Sequence, residues 1–517
     1  MSTALTARVS TRVALSASAV LCAAAAAAAP SAALTCAPSP SVALGRAPSA
    51  ARPRLRPIRV DAQTVIGLLR SLQGVNGAPA PGTHKPPQFT FGGWNMAERV
   101  DVSRGYRAAR IDLVRTHDGY GPGDIDAHFG PPRSTGRFTV PAARNALDIF
   151  PRADADPADP RSYRFGPTDR QVSSIVALGA QVIFRLGRSE TSTVSPPRDF
   201  ERYAAIAEHI VLHYNRGWDH GFRFAIRYWE VWNEPDLGKL FWGGTPQQFY
   251  RLYAALARAV KRADPVALVG GPALAKPNEP GPYRDGFLEF VRAAQVPLDF
   301  YSWHWYTTDT EDPRAFVRIA RAVRARLDRF GFRRTLEALD EWNYGLVDPP
   351  PADIERAAFV ASALIDMQDA PIDLAALYRG DSLFGADGAT PNRTGSALIA
   401  LGRMTDTPLR LRVAGGTDAC GFAVEAGRSR DGRTMQIVVS NYAIGEGAPR
   451  GYRVTIAQLS PTERYRIERY RISAARSLAL VGRTEARAQR SSGALELTAV
   501  LPAPGIDLLV IRSAGRQ

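Results

Sequence analysis

Two short runs in this sequence place carboxyl groups where acid–base work is possible. The first is Tyr228-Trp229-Glu230-Val231-Trp232-Asn233-Glu234-Pro235-Asp236. Glu234 stands among indole and phenol rings there. A carboxyl group that loses solvation to such neighbours holds its proton to higher pH and can donate it near neutrality. The second run is Leu339-Asp340-Glu341-Trp342-Asn343, with Glu341 lying 107 residues after Glu234. A pair of carboxyls is the requirement for opening a glycosidic acetal. One protonates the departing oxygen, and the other attacks the anomeric carbon or activates water. Glu230, Glu337 and Asp340 are further carboxylates in the two runs. Strict alternation places Glu230 and Glu337 deeper on the same faces as Glu234 and Glu341, and turns Asp340 outward. Asn233 and Glu234 reach one substrate together only if the strand ends or bulges between them, and Pro235 favours an ending.

Such residues need a frame that brings distant strand ends together. Eight short β-branched or aromatic runs are visible: 89–91, 109–116, 181–186, 224–232, 267–271, 299–306, 335–341 and 373–378. Amphipathic stretches at 200–214, 246–262, 313–330 and 352–366 separate several of them. In the last, Ile354, Ala358, Ala361 and Ile365 form one stripe at helical spacing. The pattern predicts an α/β fold, a (β/α)8 TIM barrel over 58–407, with catalytic residues at the C-terminal strand ends. Glu234 closes the fourth strand and Glu341 the seventh, so the two face each other across the barrel mouth. Residues 118–170, rich in Gly, Pro and Asp, form a long connection between the second and third strands. That position lies over the catalytic face.

From about residue 408 the helical period fades. Runs at 435–440, 452–456, 465–471, 495–501 and 506–511 predict a β-sandwich over 408–517. Arg8 and Arg12 precede an alanine-dominated apolar run, which reads as a signal peptide over 1–36. A linker rich in Ala, Pro, Ser and Arg fills 37–57. An exported protein, periplasmic or extracellular, is expected, with no membrane span left after cleavage. Cys36 and Cys420 could pair if cleavage spares Cys36. The net charge of +15 is almost all arginine, with only four lysines. The arginines are scattered rather than striped, which argues against a nucleic-acid partner.

With these residues in view, the chain resembles glycoside hydrolase family 39. The motifs are Glu230-Val231-Trp232-Asn233-Glu234-Pro235-Asp236, Phe241-Trp242-Gly243-Gly244-Thr245-Pro246, Gly270-Gly271-Pro272-Ala273, Asp299-Phe300-Tyr301-Ser302-Trp303-His304-Trp305-Tyr306 and Asp340-Glu341-Trp342-Asn343. The resemblance spans roughly residues 88–405. It implies a retaining double displacement with Glu234 as acid/base and Glu341 as nucleophile. It also implies Asn233 on the sugar 2-hydroxyl, a substrate-binding His117, and no metal or organic cofactor. It implies a β-sandwich that the early chain joins, for which Ile58–Val60 is the candidate strand. Strand-end position adds His304 and Tyr306 as sugar contacts or partners of Glu341. Trp342 and Trp94 are candidate stacking surfaces, and Asn95 a candidate contact. Arg379 could grip an acidic sugar or pair with Asp381. The resemblance implies an oligo- or polysaccharide as substrate. The alternative is an inactive carbohydrate-binding protein on the same scaffold. Oligomeric state is not legible.

Overall fold

The computed structural model describes residues 55–82, 90–91, 94–95, 100–117, 122–126, 133–134, 139–140, 147–189, 195–307, 312–345, 352–443 and 449–513. The expected leader and nearly all of the expected linker lie outside the described residues.

A strand at Arg56–Leu68 (β1) precedes eight parallel strands that close into a barrel. These are β2 (Gly74–Asn76), β3 (Leu113–Thr116), β4 (Gln181–Leu186), β5 (Tyr228–Val231), β6 (Leu268–Leu274), β7 (Phe300–Tyr306), β8 (Leu336–Asn343) and β9 (Leu374–Leu377). Each is followed by a helix: α1 (Ser103–Ala109), α2 (Gly166–Val176), α3 (Phe200–Arg216), α4 (Pro246–Ala263), α5 (Phe287–Ala293), α6 (Ala315–Arg329), α7 (Asp353–Asp366) and α8 (Arg393–Arg403). Helix ends follow their sequence signals. Thr245 and Gln248 cap α4 reciprocally with Pro246 at its first position. Asp199 caps α3, and Gly217, in the left-handed region, ends it.

The barrel begins earlier than the hydrophobic pattern suggests. The expected first strand at 89–91 is instead half of a two-stranded hairpin, Thr90–Phe91 with Trp94–Asn95, outside the closed sheet. The side chains of Trp94 and Asn95 lie outside the described residues. The true first strand is only three residues, and its Gly and Asn read as turn signals. Gly74 is required by close packing, because a Cβ there would lie 2.2 Å from the Ala375 carbonyl oxygen.

The barrel floor is apolar: Leu113, Ile183, Tyr228, Phe300 and Ala338 form one buried cluster. Two residues further along the same strands the interior turns polar, with Arg115, Arg185, Glu230, Ser302 and Asp340, all buried.

The C-terminal strands are β10 (Leu409–Ala414), β11 (Phe422–Arg428), β12 (Thr434–Asn441), β13 (Arg450–Ala457), β14 (Arg464–Ser473), β15 (Arg476–Arg487), β16 (Leu495–Leu501) and β17 (Gly505–Ser513). They form a β-sandwich from a nine-stranded sheet in the order β15-β14-β17-β12-β11-β10-β1-β13-β16. β1 runs antiparallel to β10 and parallel to β13. Ile58, Val60, Leu411, Phe422, Val454, Leu497 and Ile511 share the sandwich core. No helix among the described residues is long and apolar enough to cross a membrane.

Candidate active site

The site is built around a buried arginine on β3. The Arg115 guanidinium donates through Nε to Glu230 at 2.7 Å and through Nη2 to Asn233 Oδ1 at 2.7 Å. Its Nη1 donates to Glu341 at 2.8 Å and to Asn76 Oδ1 at 3.2 Å. Asp340 lies 3.5 Å from Nε. A buried cation costs several kcal/mol unless its donors are satisfied, so these partners are held in one geometry.

Glu234 reaches the site because β5 ends at Val231. Trp232 and Glu234 then take positive φ values of 72° and 41°. This breaks the alternation. The Trp232 ring packs edge-on against Trp242, while Asn233 and Glu234 both turn into the barrel mouth. The Glu234 N–H donates to the Ala273 carbonyl at 2.9 Å, which fixes the turn. Because Arg115 holds Asn233 Oδ1, the Asn233 amide nitrogen is left without a protein partner among the described residues.

Glu341 reaches the site through a bulge. Trp303 pairs with Leu339 but His304 pairs with Glu341, so Asp340 is the extra residue. Both Asp340 and Glu341 therefore project inward. This corrects the outward placement of Asp340 expected from strict alternation. It also moves Glu337, which sits outside the barrel wall near Arg324 of α6 rather than beneath Glu341. Trp342 faces outward too, with its ring 5.2 Å from Phe316 of α6, so it is packing and not a sugar platform. Arg379 is held in a bidentate pair with Asp381, at 2.6 and 2.9 Å. That leaves it a structural ion pair rather than a free fork for an acidic sugar.

The remaining expected residues converge. His304 contacts Glu234 Oε1 through Nδ1 at 2.8 Å. Tyr306 donates its hydroxyl to Glu341 Oε1 at 2.7 Å. His117 Nε2 lies 3.6 Å from Glu341. Glu234, His304 and Glu341 each offer one ligand atom within 4.8 Å of the others. A cation could use that spacing, and so could a sugar carbon held between two carboxyls.

The electrostatics divide the carboxyls by role. Burial pushes Glu234 up to about 7, against the pull of His304 and with the help of Glu341. Burial also pushes Glu230 up to about 8, and Asp340 is held below the ordinary carboxylate range by Arg115 and His304 in spite of its burial. His304 is buried, which alone would lower it, but Glu341, Asp340 and Glu234 raise it to about 10. Burial, with the nearby Arg115, pushes His117 well below the ordinary imidazole value, which disfavours its charged form. Near neutrality Glu234 and the deeper Glu230 are thus both able to hold a proton, and Glu234 is the one that stands opposite Glu341, whose oxygens receive Arg115 and Tyr306.

Sequence reasoning missed Arg115 as the hub. The available signal was an arginine inside the apolar strand Leu113-Val114-Arg115-Thr116, where a charge requires partners.

A family model for glycosyl hydrolases family 39 matches residues 173–381, which contain both glutamates. A crystal structure of a glucosidase from Croceicoccus marinus is 33% identical, with a TM-score of 0.76, over 89% of this chain and 100% of that one. The chain belongs to glycoside hydrolase family 39. It is 27% identical over 255 residues to a beta-xylosidase of Geobacillus stearothermophilus, covering 43% of this chain and 50% of that protein. The chain thus spans about half the length of the curated relatives it matches. The fold also matches the GH39 enzyme from Xanthomonas axonopodis pv. citri, at TM-score 0.64 and 16% identity, over 89% of this chain and 98% of that one.

Proposed function

We propose that this family 39 protein is a retaining glycoside hydrolase that cleaves O-glycosidic bonds by double displacement. The observation that carries the reading is the pairing of Glu234 and Glu341. One oxygen of each lies within 4.8 Å of the other. Retaining enzymes hold their carboxyls about 5–5.5 Å apart, whereas inverting ones leave about 6.5–9.5 Å for a water. Glu341 is the nucleophile, oriented by Arg115 and Tyr306. Glu234 is the acid. His304, as an imidazolium, donates to Oε1, which leaves Oε2 to carry the proton for the departing oxygen. After glycosylation the same carboxylate removes a proton from water. The Asn233 amide, aimed by Arg115, donates to the sugar 2-hydroxyl.

The substrate is an oligo- or polysaccharide, with xylosides and glucosides the first to test. Both follow from what the similar proteins are named for. The protein works outside the cytoplasm. Cys420 is disulfide-bonded, which suits an oxidising compartment, and the alanine-rich leader gives the route.

The test is hydrolysis of aryl xylosides and glucosides followed by NMR of the first-formed anomer. Retention of configuration is expected. Both Glu234→Gln and Glu341→Gln should lower kcat by about a hundredfold or more. Inversion, or unchanged turnover in either variant, would overturn the assignment.

A further inference from the structure

The long connection after β3 enters the described structure at residues 122–126, beside the catalytic mouth. Ile125 donates its N–H to the Gly187 carbonyl at 2.9 Å, just past the end of β4. Asp126 accepts both arms of the Arg188 fork, at 2.9 and 2.7 Å, and the Tyr203 hydroxyl at 2.8 Å. Asp126, Arg188 and Tyr203 are all buried. Such a paired and desolvated fork is far more rigid than a surface ion pair.

Among the described residues, no hydrogen bond or ion pair joins this pair to Glu234 or Glu341. What it touches is Trp232. The Arg188 guanidinium lies 5.7 Å from the Trp232 ring centroid, and the Tyr203 ring lies 6.5 Å away. On the same ring, a Cβ at Gly187 would come within 2.9 Å of Cε3. The indole Nε1 donates to the Phe241 carbonyl at 3.1 Å. Trp232 holds φ at 72°, a conformation that a bulky residue keeps only where its surroundings over-determine it. That same backbone turn sends Asn233 and Glu234 into the site.

We propose that the Asp126–Arg188 pair is a positioning device for Glu234, acting through Trp232. It ties the long β3–α2 connection to the angle at which the acid meets the leaving group. The inference rests on the reading of Glu234 as acid/base. It adds two residues, 126 and 188, to those that set the rate of proton donation, while leaving the Glu341 side of the sugar untouched.

The test uses leaving groups of different basicity on an aryl glycoside that the wild type hydrolyses. A 2,4-dinitrophenyl group leaves without a proton, whereas a phenyl group needs one. Arg188→Ala should lose about tenfold to a hundredfold in kcat/KM on the phenyl glycoside and less than about threefold on the dinitrophenyl glycoside. Arg188→Lys, which keeps the charge over the ring, should recover part of the loss. Asp126→Asn, nearly isosteric, should show the same split and serves if Arg188→Ala does not fold. Glu234→Gln is the control and must show the split most strongly. If it does not, the acid/base reading fails and this inference falls with it. If Glu234→Gln shows the split but Asp126→Asn and Arg188→Lys lose equally on both glycosides, or lose nothing, the positioning role alone is overturned.

Discussion

Glu234 carries its proton up to about pH 7 because it is buried, and that sets a limit on the reaction. On the proposed mechanism Glu234 must hold its proton when the bond breaks, so kcat/KM should fall as pH rises through about 7. A profile measured on a phenyl glycoside should show this basic limb, and Glu234→Gln should abolish it. A limb unchanged in that variant would assign the ionisation elsewhere. Tyr306 gives a second residue-scale prediction. Its hydroxyl meets Glu341 at 2.7 Å and is placed to support the carboxylate as charge redistributes. A hydrogen bond to a charged group contributes about 1.5–3 kcal/mol. Tyr306→Phe should therefore lower kcat by about ten- to a hundredfold if that hydrogen bond is needed in the transition state, and should lower the melting temperature by a few degrees at most. Steady-state kinetics with a thermal melt checks both halves. At this scale the sequence was most legible where residue type and strand-end position agreed. Glu234, Glu341, Asn233, His117, His304 and Tyr306 are brought together. Arg115 was illegible as the hub because its partners come from β2, β5 and β8, and only closure of the barrel makes them neighbours.

Strand periodicity misleads where a strand is irregular, and β8 is the clearest case. Counting back from Glu341 by twos puts Glu337 inside and Asp340 outside. The bulge opposite Trp303 and His304 reverses both. Nothing in the residue types marks a bulge there, since Leu-Asp-Glu-Trp-Asn alternates poorly in any register. Helices were easier to read, because α3 and α4 carry their own caps. The displaced Glu337 has a consequence for stability. Burial, with Asp373 and Asp328 nearby, raises it to about 9 in spite of Arg324. The folded chain therefore keeps a proton there that the unfolded chain releases near 4.5. The contribution of this group is fully present below pH 4.5 and is lost as pH rises towards 9. Glu337→Gln should match the wild-type melting temperature at about pH 4 and exceed it progressively from about pH 5 to 9. Parallel curves for the two proteins would show that Glu337 ionises freely.

Barrel and sandwich are stitched together at the level of the whole chain. The sandwich takes β1 into its middle, between β10 and β13, before the barrel begins. A chain cut after the barrel would leave β1 without either neighbour. The sequence showed a run at 58–60 but not its place in the strand order, which depends on partners more than 340 residues away, such as Ala414 opposite Arg59. Helix α7 is the second stitch. It is buried on nearly every side, including Phe359, Ala361, Ser362 and Ile365. The Ser362 hydroxyl donates to the Gly421 carbonyl at 2.8 Å, and Phe359 meets the Tyr442 ring at 5.3 Å. Tyr442 in turn donates to the Tyr344 hydroxyl at 3.0 Å, three residues past Glu341. Removing that ring leaves a cavity facing both the barrel helix and the end of β8. Truncating a buried aromatic to alanine typically costs about 3–5 kcal/mol. Tyr442→Ala should lower the stability of the entire chain by that amount, in a single calorimetric transition, and lower kcat by loosening the chain just after Glu341. Tyr442→Phe, which keeps the packing and loses only the hydroxyl, should retain most of the stability. Two separated transitions in Tyr442→Ala, with the barrel melting at its original temperature, would mean that the sandwich is an appended body rather than part of the barrel's support.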